Sequence, residues 1–329
     1  MDREMCSGVN HEESSSQYLL SLNLLETLSI DVEYDIPNLW NALHGLNIKS
    51  LSLTLSNRAG RVRVNNEESS SQNLVSLNQL ETLTINVYYG IPNIWNALHG
   101  LNITSLSLNV RNGWTHIESI SQALVSFTKM ETLSLSPDIY VRWEVLRGLN
   151  IKSLSLDFWH LPKHILHKKK TVEFVSQVLS SLSRLETLSI SVDEDSPGLW
   201  EALFGLNIKS LSLSGGRSGF LIVNHVESLS QCLASLKVKL EKVSICDLEE
   251  RLGLWEALCG LNIKTLNLSG FYKVYNVELL SNSLSSLTQL KTLSIIVQKD
   301  TPGLWEALSS LNIKSLIVSD KVNGLRVKH

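Results

Sequence analysis

The sequence has no long apolar run and no excess of charge of either sign. No stretch approaches the roughly 18 apolar residues of a membrane-spanning helix. Residues 1–16 are polar and lack the apolar core of a secretory signal. The formal net charge is −3 over 329 residues, whereas a protein that mainly binds nucleic acid carries a strongly basic surface. We therefore expect neither membrane insertion nor nucleic-acid binding.

Cysteine is scarce, and the four residues fall at unrelated positions: Cys6, Cys232, Cys246 and Cys259. A small domain stapled by disulfides would space its cysteines regularly. The sequence therefore favours free, buried thiols. Such thiols fit a reducing compartment, so we expect a cytoplasmic protein.

The motifs of catalytic chemistry are also missing. The chain has no Gly-x-Ser-x-Gly, no phosphate-binding glycine-rich loop and no His-Glu-x-x-His. A glutamate does recur at Glu26, Glu81, Glu131, Glu186 and Glu241, with Lys291 in its place in the sixth copy. Such a row indicates a surface charge ladder rather than a paired acid and base. We expect no enzyme activity and no cofactor.

What the chain does contain is a repeat built from two alternating phrases. The first, Leu-Glu-Thr-Leu-Ser-Ile at residues 25–30, returns in variant form from residues 80, 130, 185, 240 and 290. The second, Asn-Ile-Lys-Ser-Leu-Ser-Leu at residues 47–53, returns from residues 102, 150, 207, 262 and 312. Both phrases alternate apolar and polar residues, which predicts a strand in each. The chain is therefore six copies of about 55 residues.

A helical pattern precedes each strand, as at residues 226–236 for the first kind and 197–205 for the second. Proline at the first helical position and glycine after the last turn delimit the second kind. Ser196 and Thr301 precede two of the prolines as candidate N-caps. The prolines are Pro37, Pro92, Pro197 and Pro302, and the glycines are Gly45, Gly100, Gly148, Gly205 and Gly260, with Ser310 in the sixth copy. These signals predict about twelve helix–strand units, each of roughly 27 residues, with parallel strands on one face and helices on the other.

The strand phrases resemble the leucine-rich repeat, whose core is Leu-x-x-Leu-x-Leu. Residues 22–30 read Leu-x-x-Leu-x-x-Leu-x-Ile, and residues 46–53 read Leu-x-Ile-x-x-Leu-x-Leu. The resemblance covers about residues 17–318 and implies a right-handed α/β solenoid of horseshoe shape. The phrase Trp-Glu-Ala-Leu-x-Gly-Leu-Asn-Ile-Lys-Ser-Leu is also similar to the repeat tails of invertebrate receptor-like proteins of the NACHT (NOD-like receptor) type. That second resemblance implies a sensor role in innate immunity.

The ends of the repeat array raise the question of capping. We divide the chain into a polar lead-in at residues 1–16, one solenoid domain at 17–318 and a C-terminal tail at 319–329. Solenoids normally carry polar capping units, and the sequence shows none. We therefore expect either a piece of a larger protein or a chain whose uncapped ends associate with another copy.

The strand positions that face away from the core carry small hydroxyls almost without interruption, beginning with Thr27, Ser29, Ser50 and Ser52. Exposed β faces need only polar alternation, so we interpret this field as a solvated sheet. A uniform ligand platform, of which an ice-binding surface is one form, is the alternative.

The repeated tryptophans favour core packing over a stacking platform, because an aromatic residue repeated at helical spacing is normally core. They are Trp40, Trp95, Trp143, Trp200, Trp255 and Trp305.

The loops after the strands differ most between copies, and loops on a rigid scaffold often carry binding sites. Loops after first-kind strands are acidic, as at Asp193, Glu194 and Asp195, and loops after second-kind strands are basic. Charge pairing between neighbouring loops is the structural interpretation, and an edge that selects a partner by charge is the functional one. The candidate binding residues are Arg61, Arg63, Arg111, Trp114, Trp159, Lys168, Lys169, Lys170 and Arg217.

The longest loop, residues 157–170, holds His160, His164 and His167. A His-x-x-x-His pair binds zinc when both residues lie on one helical face. Pro162 interrupts this stretch, and no carboxylate accompanies the histidines. We interpret the segment as a solvated insertion and expect no metal site.

Together these features predict a non-catalytic protein-binding scaffold or ligand-sensing repeat domain that recognises a protein partner through its loop edge. The alternative is a structural or regulatory spacer, or a fragment of a larger receptor, with no ligand of its own.

Overall fold

The structure is a computed structural model that describes residues 24–32, 43–55, 74–87, 95, 98–110, 117–135, 143–157, 169–215, 221–236, 239–246, 254–271, 276–297, 303–309, 311–320 and 326–328. The chain separates into two compact units. The first comprises Met1–Glu131 and Asp138–Val145. The second comprises Thr132–Pro137 and Leu146–His329.

Strands form where leucine or isoleucine alternates with serine or threonine, as the sequence predicts. Among the described residues of the first unit, four strands pair in parallel and in chain order: β1 (Thr27–Val32), β2 (Ser50–Leu55), β3 (Thr82–Val87) and β4 (Ser105–Val110). In the second unit, eight strands pair in the same way. They are β5 (Thr132–Leu135), β6 (Ser153–Asp157), β7 (Thr187–Ser191), β8 (Ser210–Ser214), β9 (Lys242–Cys246), β10 (Thr265–Phe271), β11 (Thr292–Val297) and β12 (Ser315–Asp320).

Helices connect the strands in the order that the repeat predicts. The described α-helices are α1 (Ile117–Ser126), α2 (Lys169–Ser181), α3 (Pro197–Leu203), α4 (Val226–Leu236), α5 (Leu254–Leu258), α6 (Val277–Ser286) and α7 (Leu304–Ser309), and Trp143–Leu146 forms a 3₁₀ turn. The predicted α/β class, with parallel strands linked in order by helices and loops, is confirmed.

The helix boundaries follow the predicted signals. Ser196 caps α3, because its hydroxyl accepts the amide hydrogen of Leu199 at 3.2 Å. Pro197 occupies the first turn, where a missing N–H costs nothing. The five glycines predicted to follow second-kind helices all take positive φ, between 70° and 86°. Gly205 illustrates the reason: at φ 74° a side chain would be strained even though space is available.

The core consists of leucine layers that repeat from strand to strand. Leu188 in β7 is the register partner of Leu211 in β8, which in turn is the partner of Val243 in β9. All three are fully buried. Burying one such side chain contributes about 1.5–3 kcal/mol. Each strand therefore adds the same apolar layer to its neighbour.

A serine at the end of the first kind of helix links consecutive units. The hydroxyl of Ser235 donates to a carbonyl three residues earlier in α4 at 2.6 Å, and it accepts the amide hydrogen of Gly205 at 3.1 Å. Ser286 repeats the arrangement, with the amide of Gly260 at 3.0 Å. One hydroxyl therefore satisfies a carbonyl at its own helix end and an amide of the neighbouring unit.

The last parallel strand, β12, has a partner on its outer edge. A short strand, β13 (Arg326–Lys328), pairs antiparallel with residues 317–319 of β12. It uses hydrogen-bonding groups that an edge strand would otherwise present to another chain. A strand of three residues is not a capping unit, so the expectation of uncapped ends and of their association stays a prediction.

We expect Ser283→Ala to stabilise the protein. Ser283 in α6 is fully buried, and its hydroxyl has no hydrogen-bond partner in the described part of the chain. Because burying an unpaired hydroxyl is unfavourable, its removal should raise the free energy of unfolding by about 1 kcal/mol, as measured by urea denaturation.

Ser286→Ala in the same helix is the matched control. It removes a serine that makes two hydrogen bonds, so it should lower the free energy of unfolding by about 1 kcal/mol. Changes of the same sign in both variants would contradict the assignment.

Candidate functional site

Most of the predicted binding residues lie outside the described residues: Arg61, Arg63, Arg111, Trp114, Trp159, Lys168 and Arg217. His160, His164 and His167 lie outside them as well. Lys169 and Lys170 are the first two residues of α2, so the segment predicted as a loop to residue 170 is already helical there. No acidic residue stands in this first turn, and positive charge at a helix N-terminus opposes the helix dipole.

The polar face of each sheet is a grid of small hydroxyls in register. In the second unit Thr187 is the register partner of both Ser153 and Ser210. Two residues further along these strands, Ser189 stands between Ser155 and Ser212 in the same way. These side chains are half-buried. Small hydroxyls lack the large contact area of the aromatic and arginine anchors that dominate binding interfaces, so the ligand platform stays a prediction.

A ladder of charged side chains runs along the edge where the strands begin. Lys49 donates from Nζ to Oε1 of Glu26 at 2.7 Å, and each residue directly precedes its strand. The amide of Lys49 also donates to the carbonyl of Glu26 at 2.8 Å, which brings the two positions side by side. The second unit repeats this ion pair twice: Lys209–Glu186 at 2.9 Å and Lys264–Glu241 at 2.7 Å.

The recurring glutamate is therefore a surface ladder, as predicted, but the lysines between the glutamates were missed. The sequence does contain a signal for these ion pairs. The lysine of Asn-Ile-Lys-Ser stands directly before its strand, as the glutamate of Leu-Glu-Thr does. The hydrogen bond from Lys264 and its positive charge lower the pKa of Glu241. The hydrogen bond to Glu26 raises the pKa of Lys49. Both partners in each pair are about half exposed, so solvent screens their attraction.

A buried carboxylate joins two consecutive helices of the second unit. Asp195, just before α3, accepts the indole hydrogen of Trp200 at 2.7 Å. It also accepts the backbone amides of Asn224 at 2.7 Å and His225 at 3.0 Å, where α4 begins. Nδ1 of His225 lies 3.2 Å from Oδ1 of the carboxylate, whose side chain is 0% exposed. Amides at a helix start carry partial positive charge, so this is a favourable place for a carboxylate.

The functional interpretation of the acidic loops, selection of a partner by charge, is wrong for Asp195. Its side chain is buried and engaged within the molecule. A sequence signal for this role exists, since an acidic residue stands five positions before the repeated tryptophan in five of the six copies. These residues are Asp35, Asp138, Asp195, Glu250 and Asp300, and Gly90 is the exception.

The contact between Asp195 and His225 has the form of the aspartate–histidine pair in hydrolase triads. A triad also needs a nucleophile that hydrogen-bonds the second ring nitrogen. Among the described residues, no hydroxyl or thiol makes that bond to His225. The contact links the residue before α4 to the loop before α3.

Of the four repeated tryptophans whose side chains the structure describes, three are core residues. Trp95, Trp200 and Trp255 are fully buried, which confirms the packing role at these positions. Trp305 in α7 is 53% exposed, so the prediction is wrong in the sixth copy. No further helix follows α7 among the described residues. Trp40 lies outside the described residues, and the backbone of Trp143 begins the 3₁₀ turn.

The three described cysteines are free thiols in different environments. Cys232 is buried in α4, and burial raises its pKa to about 12. Cys246 is half-buried at the end of β9, and Cys259 is exposed after α5. The prediction of buried thiols is therefore confirmed for Cys232 and wrong for Cys259. Cys259 directly precedes Gly260. The residue at this position differs between copies, and its side chain is exposed or half-buried in the other copies as well.

Two further findings concern sites and membranes. The described ranges contain no group of three or more histidine, cysteine, aspartate or glutamate side chains placed to hold a metal ion. Within the same ranges, no helix combines the length and apolar character required to cross a bilayer.

The chain matches no protein-family model, and a search of curated proteins also finds no match.

We expect Asp195→Ala to lower the free energy of unfolding by at least about 2 kcal/mol, because it leaves an indole and two backbone amides without their acceptor. Urea denaturation measures the change, and Glu201→Ala on the exposed side of α3 is the control with little effect. The double variant with Trp200→Phe should lose less than the sum of the single losses. Strict additivity would show that the carboxylate and the indole are not coupled.

We also expect the cysteines to differ in reactivity. In the native protein at mildly alkaline pH, Cys259 should react with an aromatic disulfide reagent, because it is exposed. Cys232 should react only after denaturation, since burial keeps it protonated. The Cys259→Ser variant should lose the fast phase of the absorbance change. A fast phase that disappears instead in Cys232→Ser would contradict the placement.

Proposed function

We propose that the chain is a non-catalytic binding scaffold that recognises a protein partner through the basic loops after its second-kind strands. The supporting observation is the contrast between framework and loops. From β6 to β8 the strands repeat the same buried leucine or isoleucine positions and the same half-buried hydroxyls without a register shift. The segments that follow second-kind strands share no such pattern and carry Arg61, Arg63, Arg111 and Arg217. Variation on a constant support is typical of a recognition surface.

The framework is well suited to hold such loops in place. Hydrogen bonds such as those from Gly205 and Gly260 to serines of the next unit fix each helix to its neighbour. A support ordered before binding reduces the conformational entropy that association would otherwise lose. The binding energy of the loops is then available for affinity.

The buried position of Asp195 favours the basic loops over the acidic loops as the surface that binds the partner. Its carboxylate is occupied by Trp200 and by the start of α4, so it is not accessible to a partner. Basic side chains after second-kind strands have the opposite charge to an acidic partner surface, and such complementarity increases the association rate.

We further propose that the chain belongs to the leucine-rich-repeat class and serves as the sensor part of an innate-immune receptor-like protein. The repeated strand phrases and the parallel arrangement support the class. An exposed free thiol at Cys259 is compatible with a cytoplasmic location, because reducing conditions keep it unpaired.

Charge reversal of the basic segment tests the proposal. The variant changes Arg61, Arg63 and Lys168–Lys170 to glutamate, and it should lose at least about tenfold in capture of its partner from cell extract. The measurement is quantitative pull-down with the purified full chain, with bound proteins identified by mass spectrometry.

Two controls accompany this experiment. Reversal of Lys129 and Arg184, which are exposed in the turns before β5 and β7, changes charge of the same sign elsewhere and should leave capture intact. Thermal unfolding of each variant shows that the fold persists. Equal capture by the native chain and the loop variant would overturn the loop-edge proposal. Absence of any captured partner would favour the spacer.

A further inference from the structure

The alternation of charge in the ladder breaks at its last three positions. In the second unit the row reads Glu186, Lys209, Glu241 and Lys264, with opposite charges side by side. It then continues as Lys291 and Lys314, so three lysines follow one another. The backbone places them next to each other, since the amide of Lys291 donates to the carbonyl of Lys264 at 2.9 Å. The amide of Lys314 donates to the carbonyl of Lys291 at 2.8 Å.

The first of these lysines forms an ion pair with Glu241, whereas Lys291 acts on Glu241 only through its charge. Lys264 donates to Glu241 at 2.7 Å. In the part of the chain that the structure describes, no carboxylate forms an ion pair with Lys291 or Lys314. Both side chains are exposed. Lys242, which takes the place of a hydroxyl on the face of β9, adds a fourth exposed ammonium beside this row.

This arrangement is unfavourable for the isolated chain. Like charges on directly neighbouring strands destabilise a sheet. A glutamate at position 291 would continue the alternation of the preceding positions in the second unit, as Glu241 does between Lys209 and Lys264. A local arrangement that opposes the pattern of its own fold is typical of a functional position.

We propose that Lys264, Lys291 and Lys314, named here the lysine row, bind an acidic segment of a protein partner that lies across the starts of β10, β11 and β12. Neighbouring strands are about 4.8 Å apart, so the row spans about 10 Å. Two or three carboxylates of an extended chain fit this length, because side chains on one side of a strand repeat every 6–7 Å or so.

The size of the row and its neighbours favour an acidic peptide over nucleic acid. Tight electrostatic binding to a duplex typically uses about 6–10 phosphate contacts, which exceeds what this row provides. Glu186 and Glu241 precede it on the same edge and would repel a continuous polyphosphate. A short acidic segment ends before it reaches them. The lysine row lies where strands begin, so it is a different surface from the loops that follow the strands and does not rest on their proposed function.

The charge reversal Lys291→Glu separates binding from folding. It removes the central ammonium and also restores the alternating ladder. We expect the affinity of the full chain for a fluorescent peptide of alternating glutamate and serine to fall about tenfold, as measured by anisotropy. The melting temperature should stay the same or rise. Binding by the native chain should also weaken as salt is added.

Arg184→Glu is the matched control, since it makes the same change of charge at an exposed position of the second unit. It should leave peptide affinity within about twofold. A second variant, Lys314→Gln, should weaken binding without introducing a negative charge. A serine–glutamine peptide should not bind the native chain.

Three outcomes would overturn the proposal: no binding of the acidic peptide to the native chain, equal loss in Arg184→Glu and Lys291→Glu, or unchanged binding in Lys291→Glu. Preferential binding of duplex DNA, or of phosphatidylserine vesicles in phosphatidylcholine, over the peptide would assign the row to another class of ligand and would overturn it as well. Loss of capture in the loop variant alone would not affect this result, so the two proposals are distinguishable.

Discussion

Parallel pairing in register, which shifts only near the end of β10 among the described strand pairs, is the constraint on which the rest of each unit depends. Leu188, Leu211 and Val243 stack because their strands align residue for residue. The same alignment arranges the hydroxyls into rows and places Lys209 beside Glu186 at the strand starts. A slip of one residue would exchange the buried and exposed faces. One geometric condition therefore determines the core, the polar face and the charged edge together.

The sequence predicts those features that depend on local periodicity. Strand positions follow from alternation, and the start of α3 follows from Ser196 and Pro197. The features it did not predict involve partners far along the chain. Asp195 meets Asn224 across 29 residues, and Lys264 meets Glu241 across 23. Both contacts depend on which strands and helices lie side by side, and spacing along the chain does not give that adjacency. The exposure of Trp305 has a similar cause, because burial of a repeated residue depends on the unit beside it.

The three candidate surfaces lie at different positions along each strand. Charged residues precede it, hydroxyls line its free face and variable loops follow it. The ladder and the hydroxyl rows could be derived from the repeat once the register was known. The loop residues Arg61, Trp114 and Trp159 could only be proposed from composition, since neither periodicity nor capping constrains them. Both proposed binding surfaces therefore lie where the copies differ, at the loops and at replacements such as Lys291.

Because the copies are nearly identical, a strand can pair with the wrong copy during folding. The strand Ser210–Ser214 presents the same leucine layer to almost any other strand of the chain, so pairing with a wrong copy would bury nearly as much apolar surface. Asp195 favours the correct neighbour, because its carboxylate accepts the amide hydrogens of Asn224 and His225 only when α3 and α4 are adjacent. Where newly made chains are crowded, a contact between consecutive units favours folding within one molecule over exchange of repeats between molecules.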